Sequence, residues 1–310
     1  MKRKIVAVCG PTAVGKTKFS IEIARAFDGE IVSCDSMQLY KFMDIGSAKP
    51  TKEEQSRAPH HLVDVIDPRD DFSCAVYKKM AFDAIDDIIS RGHLPVIAGG
   101  TGLYLNSILY NMEFDEVPPA DEALRAKLYQ EASEYGNEYV YNKLKEIDEA
   151  AASRIHPNNV KKVIRALEAA LSGNKIGDFS KDITRNESVD AVLICLTRDR
   201  EELYDRINRR VDILLEEGLV EEVRSLMEMG LTDDNISMKG IGYKEVIAYL
   251  RGEASLEDTA ELIKKNTRHY AKRQLTWFRR YEDMKWFDIS TYSDDETCLE
   301  AIIQWLKKQL

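Results

Sequence analysis

The sequence predicts an α/β fold: a parallel sheet flanked by helices, with an all-helical subdomain inserted between two of its strands. Three observations lead there. An apolar run over residues 4–9 turns, through Gly10-Pro11-Thr12-Ala13-Val14-Gly15-Lys16-Thr17, into an amphipathic run over 18–27. A buried-strand pattern over 94–98 passes in the same way into Gly99-Gly100-Thr101-Gly102. From 121 to 172 helical periodicity continues without a strand-like run, and a strand pattern returns at 189–196. Apolar strands separated by helices are the pattern of a sheet covered on both faces.

Composition bounds the function. The 310 residues suffice for one large domain or two modest ones, and the apolar and charged fractions are those of a soluble protein. No apolar run approaches the roughly 20 residues that cross a bilayer, and Met1-Lys2-Arg3-Lys4 leads into a strand rather than a secretory signal. A cytoplasmic protein without a membrane partner is expected. The five cysteines form no C-x-x-C pair, which speaks against a zinc knuckle or a disulfide framework. A net charge of −10 opposes a nucleic-acid partner in bulk, although binding depends on local charge.

The first glycine turn has the spacing G-x-x-x-x-G-K-T between a strand and a helix, so the core is expected to be P-loop NTPase-like. Gly10 and Gly15 permit backbone angles that let consecutive N–H groups converge on an anion at the positive end of the helix. Lys16 adds a full charge, and the Thr17 hydroxyl suits a phosphate-bound Mg²⁺. The motif leaves the chemistry open, since a kinase, an NTPase and an enzyme that expels diphosphate all use it.

Further along, residues 30–34 form a short strand ending in Asp35-Ser36-Met37-Gln38, at the edge where parallel strands deliver functional residues. Asp35 is expected near the phosphates as a Mg²⁺ ligand, a proton acceptor or a turn cap. Residues 40–50 read as a loop over the site. His60 and His61 invite a metal, but strand neighbours point to opposite faces and no third ligand is suitably spaced. Over 73–90, Val76, Met80, Ala84 and Ile88 lie at helical spacing, with a stop at Arg91-Gly92. Thr101 offers a hydroxyl to a phosphate or a substrate. Pro118-Pro119 marks the break into the insertion, where Lys161, Lys162 and Arg165 place three cations on one helix; residues 173–188 are polar. The core is assigned to 1–116 and 189–310, the insertion to 117–188.

After the strand at 189–196, a helical run with Leu203, Ile207, Val211, Leu214 and Leu215 carries Arg206, Arg209 and Arg210. Such a set can act as a lid on a departing phosphate. Lys239-Gly240-Ile241-Gly242-Tyr243-Lys244 opens a further helix. The last helix, over 262–281, holds Lys264, Lys265, Arg268, Lys272, Arg273, Arg279 and Arg280 and no acidic residue, interleaved with His269, Tyr270, Trp277 and Phe278. Cations suit phosphates and exposed rings suit unstacked bases, so this stripe can bind RNA within an acidic chain.

Several of these segments together resemble the bacterial tRNA dimethylallyltransferases (isopentenyl-diphosphate:tRNA isopentenyltransferases). They are the loop 10–17, Asp35-Ser36-Met37-Gln38-Leu39-Tyr40, Met43-Asp44-Ile45-Gly46-Ser47-Ala48-Lys49-Pro50, Gly99-Gly100-Thr101-Gly102-Leu103-Tyr104, Arg154-Ile155-His156-Pro157-Asn158, Gly242-Tyr243 and Lys272-Arg273-Gln274-Leu275-Thr276-Trp277-Phe278-Arg279. Order and spacing follow that family from the first strand to about Trp286.

The resemblance implies transfer of a dimethylallyl group from dimethylallyl diphosphate to the exocyclic N6 of the adenosine just 3′ of the anticodon, in tRNAs reading codons that begin with U. It implies that Gly10, Pro11, Thr12, Ala13, Val14, Gly15, Lys16 and Thr17 hold the donor diphosphate, Thr17 through Mg²⁺. Asp35 matches the family's general base, while Thr101 and Arg210 match positions that contact the reacting groups and the diphosphate. Arg210 is preferred to Arg206 as the last arginine of Arg206-Ile207-Asn208-Arg209-Arg210. tRNA contacts are implied at Asp35, Ser36, Met37, Gln38 and Thr101, and on the insertion at Lys161, Lys162, Val163, Ile164 and Arg165. Further contacts are implied at Lys239, Gly240, Ile241, Gly242, Tyr243 and Lys244, and at Lys272, Arg273, Gln274, Trp277 and Arg279. The base is expected to be flipped into a channel opposite the donor, and the protein to act as a monomer. A P-loop nucleotide or small-molecule kinase and an adenylate isopentenyltransferase are the alternatives, neither with a use for the basic aromatic helix.

Overall fold

Residues 2–112, 121–173 and 184–310 are described by the computed structural model. The chain begins as β1 (Arg3–Cys9), α1 (Lys16–Ala26), β2 (Gly29–Ser33), α2 (Lys52–Arg57), β3 (His60–His61), α3 (Cys74–Ser90), β4 (Leu94–Gly99) and α4 (Gly102–Leu109). It leaves the sheet for α5 (Glu122–Tyr135), α6 (Asn137–Ile147), α7 (Glu149–Ala152) and α8 (Val160–Leu171). It returns as β5 (Val189–Thr197), α9 (Arg200–Glu216), α10 (Leu219–Glu228), α11 (Tyr243–Leu250), α12 (Leu256–Phe278), β6 (Lys285–Asp288) and α13 (Asp295–Leu306).

The described strands make one sheet in the order β3-β2-β4-β1-β5-β6, with every pairing parallel, as the strand–helix alternation predicts. Ile5, Val6, Ala7 and Val8 have no exposed surface, because β1 lies in the middle with helices on both faces. Cys9 is in register with Gly99 of β4 and with Cys195 of β5. Both glycine turns therefore leave the same edge side by side. The sequence did not announce α2, α4, α10, β6 or α13, which are short or follow turns without a marked periodicity.

Helix α3 differs from its sequence reading by one position. Tyr77, Ala81, Ile85 and Ile88 face inward, and Val76 is 44% exposed. Tyr77 decides the rotation: its hydroxyl donates to Ser33 O at 3.1 Å and its ring stacks on Tyr104 at 3.9 Å. An aromatic ring with a hydrogen-bonding tip outweighs a valine for the inner face.

Cys9, Cys34, Cys195 and Cys298 are buried and free, and Cys74 is half-buried. His60 and His61 pair with Ile31 and Val32 of β2. His61 Nε2 meets Glu30 Oε2 at 2.6 Å and His60 Nδ1 meets Ala58 O at 2.8 Å, so both rings have protein partners. Among the described residues no group of three or more metal-ligating side chains exists, and no helix is long and apolar enough to cross a membrane.

Contacts divide the chain into a unit of Met1–Leu109 with Asn186–Leu310 and a unit of Tyr110–Arg185. The proposed boundary at 116/117, with Pro118-Pro119, and most of the polar stretch 173–188 lie outside the described residues. Within the second unit Tyr110 bridges Arg185 in antiparallel fashion, and Asn111 N donates to Thr184 O at 2.9 Å. Its core gathers Leu128, Val140, Leu144, Val163, Ile164 and Leu167 from three helices.

Candidate active site

The loop between β1 and α1 is built as an anion cradle. Gly10 has φ 148°, and a Cβ there would stand 2.7 Å from Leu196 O, so only glycine makes the exit from β1. Gly15 caps α1 in the left-handed region, no side chain caps the helix, and its first turn carries no acidic residue. The N–H groups and dipole at that end are thus left for an external anion. From outside the loop, Arg206 Nε donates to Ala13 O at 3.0 Å and Arg198 Nε to Val14 O at 3.1 Å. Arg198 is itself held by Glu202 and Asp295, at 2.6 Å each.

Lys16 turns its amine inward, onto Gly10 O at 3.0 Å and Pro11 O at 2.8 Å. Burial lowers this ammonium to about 8, Asp35 opposing the shift and Arg210 adding to it. Arg210 is likewise lowered by burial, with Asp35 the largest opposing charge, and its Nη2 reaches Ala48 O at 3.5 Å.

A cavity of about 460 Å³ opens over this cradle, and Thr12, Ala13, Gly15, Lys16, Thr17, Asp35, Ser36, Met37, Gln38 and Arg210 all line it. Apolar walls come from Ile207, Val211, Leu214, Leu219, Ile241 and Ile263. Asp35 Oδ1 accepts the Met37 N–H at 2.9 Å, which fixes the carboxylate at the end of β2. Behind it, Ser36 N donates to Thr101 Oγ1 at 3.1 Å, and the Tyr270 phenol stands near Thr101. Burial raises the Tyr270 phenol, keeping it neutral. The 44–48 side of the cavity is held by Glu222, whose carboxylate accepts the N–H groups of Asp44 and Ile45 at 2.7 Å, Gly46 at 3.0 Å and the Tyr243 hydroxyl at 2.9 Å.

The sequence matches the IPP transferase family model over residues 38–281 and the isopentenyl transferase model over 3–64. The chain belongs to the IPP transferase family. It is 53% identical over 308 residues to the tRNA dimethylallyltransferase of Alkaliphilus oremlandii, covering 99% of this chain and 98% of that protein. The crystal structure of the full-length tRNA isopentenylpyrophosphate transferase from Bacillus halodurans is similar at 43% identity and a TM-score of 0.74, over 99% of this chain and 97% of that one. A eukaryotic dimethylallyltransferase acting on tRNA is similar at 29% identity and a TM-score of 0.81, over 99% of this chain and 80% of that one.

With the transferase fold in hand, the three lid arginines separate. Arg210 lines the cavity, Arg206 braces the loop from behind, and Arg209 pairs with Asp205 on an exposed face. Val14 is fully buried, so it serves the loop through its backbone. Lys239, Gly240, Ile241 and Gly242 line the cavity, and Lys244 lies 3.5 Å from Glu245.

Some RNA-contact expectations need correction. Val163 and Ile164 are in the core of the second unit, at 0% and 1% exposure, so of the positions 161–165 only Lys161, Lys162 and Arg165 are exposed. Tyr243 is fully buried on Glu222 and is removed from that set; Gln274, 5% exposed with both amide ends bonded inside the protein, still lines the cavity. Lys272, Arg273 and Arg279 are exposed, Arg273 also lining the cavity, and the Trp277 indole carries the Arg280 guanidinium at 4.9 Å. Glu222 and Arg198 were not singled out from sequence, and Tyr270 and Arg206 were read there only as parts of the aromatic stripe and the lid, because each acts on a segment far away along the chain.

Proposed function

We propose that this chain moves a dimethylallyl group from dimethylallyl diphosphate to N6 of the adenosine immediately 3′ of the anticodon of tRNA. The observation that carries this reading is the pairing, in one cavity, of an anion cradle with apolar walls and a carboxylate. A phosphoryl-transfer enzyme uses the cradle but has no need of walls that suit a branched C₅ chain.

In the reaction, the N6 nitrogen attacks the allylic carbon, the carbon–oxygen bond breaks, and diphosphate departs with the bonding electrons. The amine loses a proton, and Asp35 is positioned to take it. Lys16, Arg210 and the start of α1 stabilise the charge that builds on the diphosphate. Thr101 acts from behind Ser36, holding the chain that follows Asp35. The Thr17 hydroxyl, which lines the cavity at the start of α1, fits a hard divalent cation that keeps most of its ligands from water and diphosphate. Mg²⁺ bound there would supply further neutralisation of the leaving group. The exposed cations of α12 support tRNA as the acceptor, with the target base unstacked to enter the cavity.

The test is incubation with unmodified tRNA and either labelled dimethylallyl diphosphate or γ-labelled ATP. Label is expected in the RNA from the prenyl donor only; incorporation from ATP alone would establish a kinase instead. Asp35→Ala is expected to lower kcat by about 10² to 10⁴ while tRNA binding stays near normal. Near-normal turnover in that variant removes Asp35 as the proton acceptor.

A further inference from the structure

Gln274, a residue of the cavity lining, joins two segments that are far apart in sequence. Its Oε1 accepts the Thr12 N–H at 2.9 Å and its Nε2 donates to Gly100 O at 3.0 Å. The first partner belongs to the phosphate loop after β1, the second to the glycine turn after the neighbouring strand β4. A Cβ on residue 100 would lie 2.1 Å from Nε2, so the amide occupies room that only glycine leaves open. We propose that Gln274 is a positioning residue of the transfer reaction, one that fixes the phosphate loop relative to the turn bearing Thr101. This rests on the prenyl-transfer reading.

The chemistry selects glutamine. The Thr12 amide needs an acceptor and the Gly100 carbonyl needs a donor, and a neutral carboxamide supplies both from one planar group. A carboxylate would satisfy Thr12, oppose Gly100 with a lone pair, and set a negative charge beside the diphosphate. Engaging the Thr12 N–H also withholds it from the anion, leaving the cradle to the amides at the start of α1.

Gln274 does not act alone on this turn. Tyr270, Gln274 and Trp277 are one helical turn apart on α12 and share a face. Tyr270 stands near Thr101, Gln274 bonds Gly100, and the Trp277 ring lies against Gly102. One face of α12 thus registers three successive residues of the turn, while Lys272, Thr276 and Arg279 on the other side are exposed.

Steady-state kinetics of the full chain with labelled dimethylallyl diphosphate and unmodified tRNA test this, using Gln274→Met, which keeps the shape, and Gln274→Glu. Gln274→Met is expected to lower kcat/KM for the donor about tenfold or more, from two lost hydrogen bonds, with the tRNA KM changed by less than about twofold. Gln274→Glu is expected to show a similar deficit at neutral pH that narrows, relative to wild type, as acid protonates the new carboxyl and restores a donor towards Gly100. Gln274→Met should show no such recovery. A defect confined to tRNA KM, a wild-type donor kcat/KM in Gln274→Met, or a Gln274→Glu deficit that ignores pH would each overturn the assignment. Failure of the wild-type protein to transfer the prenyl label would instead overturn the function on which it rests.

Discussion

Lys16 must be charged to hold a diphosphate, yet it lies where charge is disfavoured. Burial brings its ammonium from the ordinary 10.5 down to about 8. With the folded value below the unfolded one, the charged amine weakens the fold; that cost is fully present below pH 8 and disappears as pH rises towards 10.5. A bound diphosphate relieves it by supplying the missing counter-charge. The donor KM is therefore expected to rise as pH passes upward through about 8, where the free protein loses this proton. Donor KM measured across that range in wild type and in Lys16→Arg checks it: the arginine variant, however impaired, should lack this break, and an identical break in both would assign it to another group. Lys16 and its loop were legible because strand, glycines, lysine and helix are contiguous in sequence. Asp35 was legible because a short apolar run ended in it. Gln274 was not: its carbonyl partner is 174 positions away, and nothing local distinguishes an inward amide from an outward one.

The helix α12 shows why composition alone misassigns an element. Its cations read as one stripe, but the fold divides them. Lys264 pairs with Asp212 at 2.8 Å and Glu261 at 3.1 Å, and Arg268 bonds Asn208. Lys265, Lys272, Arg273, Arg279 and Arg280 are exposed. A period of 3.6 residues lets neighbouring positions serve opposite sides, so a contiguous motif such as 272–279 mixes surface and core. The same reasoning accounts for Val163 and Ile164, which lie between exposed cations on α8 yet point into the interior. Replacing Lys272 and Arg279 together by alanine is expected to weaken tRNA binding and to flatten the slope of log affinity against log salt by about one to two. Lys264→Ala, which removes a paired charge, should leave that slope unchanged. Salt titrations of tRNA affinity decide between them, and an unaltered slope in the double variant would take this face of α12 out of the RNA interface.

For the whole molecule, the arrangement follows from strand order. Because β1 runs between β4 and β5, its exit loop has the second glycine turn on one side and the start of α9, with its arginines, on the other. Contributions from residues 12 to 274 thereby converge on one cavity. The alternation of strands and helices made the parallel sheet readable, whereas the short β6 that completes one edge carried too few residues to signal itself.

The buried thiols of this sheet have a practical corollary. Alkylation proceeds through the thiolate, and burial pushes Cys9 and Cys34 up strongly, Cys195 to about 12, and Cys74 and Cys298 to about 11. The native chain should be nearly inert to iodoacetamide at neutral pH, with at most the half-buried Cys74 modified slowly, and denaturant should expose all five sites at once. Counting adducts by intact mass over time would then turn the cysteines into a built-in clock for global opening, needing neither a dye nor an engineered reporter. Rapid modification of several sites without denaturant would mean that the sheet breathes far more than its packing implies.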